Sequence, residues 1–181
     1  FTCEVSPSNN GNNMVVDSNG IPNHDFASTL GCCASEQDYE WTIPLNPVND
    51  TDGNFEYVPE RGQIAVAVNG APLFGPEDGP GGDAVALHHK YYNEDRQNVV
   101  MDICGGHSGP GGIYHYHWDL NCAYWIPDPG EDMTDYHWTK INSSQHSPII
   151  GWSFDGYPIY GMYGWDESQN IAAVDSSYQL K

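Results

Sequence analysis

Apolar residues in this chain come in short bursts with no sustained helical spacing, and that pattern predicts strands. Residues 63–68 form one apolar run, ended by Asn69-Gly70. Residues 97–103 form another, running into Cys104, and residues 113–118 a third. Residues 149–154 form the fourth, ended by Asp155-Gly156. A strand start at Glu40-Trp41-Thr42-Ile43 is stopped by Pro44 and Pro47. Asn-Gly and Asp-Gly after apolar strands predict two-residue hairpin turns, in which both central residues need positive φ.

The first 38 residues show little periodicity and are rich in Asn, Ser and Gly. They predict an extended arm with one short strand around Met14-Val15-Val16. The remainder divides into a loop-rich segment up to residue 57 and a β domain over residues 58–181. Two stretches echo each other: Val68-Asn69-Gly70-Ala71-Pro72-Leu73-Phe74-Gly75 and Phe154-Asp155-Gly156-Tyr157-Pro158-Ile159-Tyr160-Gly161. They predict two similar strand–turn–strand corners in one sheet system. The fold class that follows is all-β, a sandwich or barrel-like arrangement of short antiparallel strands with much irregular loop.

Composition agrees and adds function classes to exclude. Twenty glycines and thirteen prolines suit tight turns, and 181 residues suit a single core. Five Lys and Arg stand against 25 Asp and Glu, a formal charge of -20. No basic groove can therefore track phosphates, and anionic membranes would repel the chain. No apolar run approaches the ~20 residues that span a bilayer. The opening Phe1-Thr2-Cys3 reads as a mature terminus after removal of a secretory leader.

Of the five cysteines, Cys104 and Cys122 bracket a His-rich segment and are expected to pair. Cys3 is expected to pair with Cys32 or Cys33, leaving one thiol over, buried or bridging to another molecule. Asn49-Asp50-Thr51 and Asn142-Ser143-Ser144 are glycosylation sequons, in keeping with a secreted or cell-surface glycoprotein. Residues 49–54 weakly match a calcium-binding loop, so calcium enters only as a structural ion, because Val48 and Pro59 stand where the outer ligands belong.

Three segments carry a family likeness. They are Asp102-Ile103-Cys104-Gly105-Gly106-His107, then Gly112-Ile113-Tyr114-His115-Tyr116-His117, then residues 147–161. With the Asn69-Gly70-Ala71-Pro72 corner upstream, the chain resembles the YHYH domain family over roughly residues 62–162. The resemblance implies a secreted or cell-surface context and little mechanism.

The chemistry lies in the histidines. On a strand, His115 and His117 share one face while Tyr114 and Tyr116 take the other. After a sharp Gly-Gly turn, His107 can join the pair across a short Gly-rich connection. Asp102 is a further candidate ligand, or an acceptor that orients a histidine. Of the adjacent His88 and His89, at most one faces the same site. Three imidazoles suit copper or zinc better than a hard, oxygen-seeking cation. Catalytic templates are missing: there is no H-E-x-x-H, no phosphate loop, and Asp155 occupies the closing-Gly position of a G-x-S-x-G elbow. A metal-binding module is therefore the leading reading. A filament or matrix subunit, self-associating through the N-terminal arm or the unpaired cysteine, is the second, and a metal-dependent enzyme the third.

Overall fold

The structure, a computed structural model, describes residues 2–24, 33–54, 59, 61–77 and 101–174. It is all-β. Strands β1 (Val5–Asn10) and β2 (Asn13–Ser18) form a hairpin, and β3 (Tyr39–Pro44) pairs antiparallel with β2. A second sheet is built from β4 (Gln63–Ala67), β5 (Pro72–Phe74), β6 (Gly106–Ser108), β7 (Tyr114–Tyr116), β8 (Ile149–Ser153) and β9 (Pro158–Tyr160). Its order is β6-β7-β5-β4-β8-β9. A small ribbon, β10 (Tyr163–Trp165) with β11 (Ile171–Ala173), completes the strands. The helices among the described residues are short 3-10 turns, such as Leu120–Ala123.

The N-terminal segment holds more structure than its pattern predicts. Expected as an arm with one strand, residues 5–18 form a full hairpin that turns at Gly11, whose φ is +65°. β1 has a single apolar residue, Val5, so alternation could not reveal it; pairing with β2 holds it in place. Val16, Trp41 and Ile43 of this sheet pack on Val66 of β4, with Trp152 and Phe154 at the margin. Ala67, next along β4, faces a second core with Tyr114, Tyr116, Leu120 and Ile150. β4 is thus covered on both faces, which explains its unbroken apolar run.

The echoed corners are both hairpins of the six-stranded sheet. In the first, Gly70 N donates to Ala67 O at 2.8 Å and Ala67 N to Ala71 O at 2.9 Å. In the second, Gly156 N donates to Ser153 O at 3.0 Å and Ser153 N to Tyr157 O at 2.9 Å. Only the glycines have positive φ, +81° and +98°. The connections are therefore type I turns closed by a left-handed glycine, one residue longer than the two-residue turn expected. β4 and β8 lie antiparallel at the centre, so the two hairpins sit side by side. The first has a consequence for the site, because β5 pairs parallel with β7 at Leu73 and Tyr116.

Two further expectations change. Of the strand expected over residues 97–103, positions 97–100 lie outside the described residues, and 101–103 are irregular because Asp102 opens a tight turn. Cys104 and Cys122 are bonded as expected, across 18 residues. In the chain-entropy account a loop of that length contributes about 3 kcal/mol. Cys3 is a free thiol rather than half of a disulfide. Cys3 and Val5 lie beside the Asn69-Gly70 corner, where Cys3 Sγ donates to Asn69 O at 3.3 Å, and Cys3 is thus the thiol left over. Cys33 is disulfide-bonded, while Cys32, His88 and His89 lie outside the described residues.

Asn49 and Asn142 are exposed. The carboxylates of Asp50 and Asp52 accept backbone N–H bonds from Asp52 and Asn54 within their own exposed loop. No cluster of three ligand groups forms there among the described residues.

Candidate metal centre

The site begins at a turn. Asp102 N donates to Gly106 O at 2.8 Å, and Gly105 N to Asp102 O at 3.1 Å. Gly105 takes φ +68°, and a Cβ there would strike the Trp118 ring. This reversal launches β6, which hairpins into β7 with His107 directly opposite His115. His117 follows two residues on, and its N–H donates to Gly105 O at 2.8 Å. Period-two alternation then projects His107, His115 and His117 from one face.

The three imidazoles converge. His107 Nε2 lies 2.9 Å from His115 Nε2 and 3.3 Å from His117 Nε2. All three residues are buried, at 4 %, 6 % and 6 % exposure. Nitrogens held about 2.0–2.1 Å from one ion at tetrahedral angles stand about 3.3 Å apart, so the spacing fits a single metal. Among the described residues this is the one cluster of three His, Cys, Asp or Glu donors.

Backbone carbonyls fix the ring orientation. His115 Nδ1 donates to Ile113 O at 3.1 Å, and His117 Nδ1 to Gly75 O at 2.9 Å. Both rings therefore present Nε2 lone pairs toward His107. One proton cannot serve two such lone pairs well, whereas a cation satisfies all three nitrogens. A carbonyl behind each metal-facing imidazole is also the arrangement that orients ligating histidines in metal sites. Phe74 of β5 stacks on His115, with ring centroids 3.9 Å apart. The parallel β5–β7 pairing thus delivers both the Phe74 cover and the Gly75 carbonyl.

Burial, and next the neighbouring His107, push His115 down to about 3; the Ile113 carbonyl works the other way, and His117 adds to the fall. His115 is accordingly neutral at physiological pH and ready to bind a metal. A stability consequence follows for the metal-free protein. Below pH ~6.5 the unfolded chain takes up a proton that folded His115 refuses, so stability falls by about 1.4 kcal/mol per pH unit until pH nears 3. Urea unfolding of metal-free protein at pH 6.5 and 5.0 should show this slope, and His115→Gln should flatten it by that amount.

The structure brings together three of the four sequence-predicted ligands and leaves Asp102 apart. Its Oδ1 accepts from Cys104 N and Gly106 N, both at 2.9 Å, and its Oδ2 from Tyr114 Oη at 2.7 Å. Asp102 neither joins the cluster nor orients a histidine of it; it ties the turn to the core. Burial, the largest influence, raises its pKa, while these hydrogen bonds oppose the rise.

The tyrosines face inward, at 1 % and 0 % exposure. Tyr116 Oη lies 2.6 Å from His24 Nε2 and accepts from Asn69 Nδ2 at 2.9 Å. Burial pushes both phenols far up, so they act as neutral hydrogen-bonding groups. The sequence pattern gives no role at the site to His24, Phe74 or the Gly75 carbonyl. The echo corner marked Phe74 and Gly75, though only as turn residues.

A protein-family model described as YHYH protein matches residues 40–181, a wider span than residues 62–162. No curated protein and no solved structure matches the chain.

Proposed function

The chain belongs to the YHYH family, and from that premise we propose that it is an extracellular metal-binding protein whose centre holds one copper or zinc ion in a structural or sequestering role. The convergence of His107, His115 and His117 Nε2 carries this reading. Three neutral imidazoles suit either metal, and at equal availability copper binds such nitrogen sites more tightly. The extracellular setting rests on other features. A disulfide closes the ligand-bearing loop, and disulfides persist in oxidising compartments. Both sequon asparagines are exposed.

The test is elemental analysis of protein purified without added metal, followed by titration of chelator-treated protein with zinc and with copper. One equivalent per chain is expected, with thermal stabilisation that rises with free metal. Titration without saturable uptake of either metal would overturn the reading.

A further inference from the structure

A cleft of about 710 Å³ opens beside the histidine centre, and His117 forms part of its wall. Four aromatic rings line it, those of Trp118, Tyr160, Tyr163 and Trp165, together with aliphatic side chains. Trp165 is 58 % and Tyr160 48 % exposed, an uncommon degree of exposure for two large rings on one surface. The His146 ring is near both, 5.1 Å from Tyr160 and 6.1 Å from Trp165 by centroid.

Two polar groups of the cleft, His146 and Asp119, offer fixed acceptors. His146 Nδ1 donates to Ser147 O at 2.7 Å, which leaves Nε2 as the acceptor of the neutral ring. Asp119 is oriented by two donors, Asn121 Nδ2 at 2.7 Å and Tyr136 Oη at 2.6 Å, and each carboxylate oxygen keeps a further lone pair. No Lys or Arg stands among the described lining residues.

We propose that this cleft binds a neutral oligosaccharide, stacked on Trp165 and Tyr160 and hydrogen-bonded through its hydroxyls to Asp119 and His146, beside the centre at His117. A sugar ring has an apolar C–H face that aromatic rings cover and a rim of hydroxyls that seek fixed acceptors. Anionic ligands are disfavoured by the missing cations and by the charge of -20. A quaternary ammonium group would need an enclosing cage, whereas these rings form a half-exposed shelf in a space far larger than such a headgroup. His117 is shared between the wall of this cleft and the histidine centre.

Chelator-treated, metal-free protein should be titrated with soluble glucan, mannan and chitin oligosaccharides, with choline and heparin alongside, following tryptophan fluorescence and heat. At least one neutral oligosaccharide should bind at millimolar concentration or below, while choline and heparin do not. Trp165→Ala and Tyr160→Ala should each weaken it by about tenfold or more. Trp165→Phe, which keeps a ring, should retain most of the affinity, and circular dichroism should show every variant folded. Saccharide binding is read on metal-free protein and the metal reading by metal uptake, so failure of the metal reading and of the glycan reading give different results. Absence of binding by every neutral oligosaccharide, binding of choline or heparin alone, or binding indifferent to the Trp165 and Tyr160 variants would overturn the proposal.

Discussion

Alanine in place of His107, His115 or His117, one at a time, is expected to lower affinity for zinc or copper by at least about 100-fold at neutral pH. Altering a residue behind a metal ligand typically costs 10–100-fold, and removing the ligand itself costs more. A hundredfold is about 2.8 kcal/mol. Two features make the loss large. The hairpin places His107 opposite His115 before any metal arrives, so little ordering entropy remains to be lost on binding. The carbonyls of Ile113 and Gly75 have already selected the metal-ready tautomers of His115 and His117. With one imidazole gone, two nitrogens remain in a buried site, and water must supply the missing bond. Competition against a chromophoric chelator measures the change, with His137→Ala as the control because His137 is exposed. His115→Ala should also destabilise the metal-free fold more than His107→Ala, since Phe74 stacks on its ring. Affinities indistinguishable from the parent in all three variants would sink the metal assignment.

The histidine face was legible because it follows from local rules. Alternation on a strand aligns His115 with His117, and a short Gly-rich connection returns His107 to the same hairpin. The two echoed corners were legible for the same reason, since a Gly after Asn or Asp marks a turn whatever lies elsewhere. What escaped is non-local. Phe74 and Gly75 reach the site only through the parallel pairing of β5 with β7, across a long stretch of chain. His24 meets Tyr116 across 92 residues of sequence. The turn type depended on whether Asn69 and Asp155 would adopt positive φ, and the glycines alone did so. Cysteine number alone puts Cys3 in a disulfide, whereas the fold seats it as a thiol at the Asn69 corner. The first hairpin was hidden because β1 presents mostly exposed polar side chains, and its pairing rests on backbone hydrogen bonds.

Asp102 shows where residue chemistry alone misleads, and its substitution is the second large effect expected. A carboxylate near three histidines reads as a ligand, yet its oxygens serve three donors: Cys104 N, Gly106 N and Tyr114 Oη. Asp102→Ala leaves these buried donors unsatisfied, at about 1–3 kcal/mol each, so a total loss of about 4 kcal/mol or more is expected. For a chain of this size that lowers the melting midpoint by about 10 °C, readable by calorimetry. Asp102→Asn should cost far less. Its Oδ1 still accepts both backbone N–H groups, and the amide can donate to Tyr114 Oη, because a hydroxyl accepts as well as donates. The asparagine variant therefore separates the two roles. If the carboxylate anchors the turn, folded Asp102→Asn keeps metal affinity within about threefold of the parent, while Asp102→Ala is strongly destabilised. If the carboxylate were a ligand, Asp102→Asn would lose affinity on the hundredfold scale of the histidine variants. The geometry favours the first outcome, because both carboxylate oxygens are engaged on the tyrosine side of the hairpin, away from the point where the imidazoles meet.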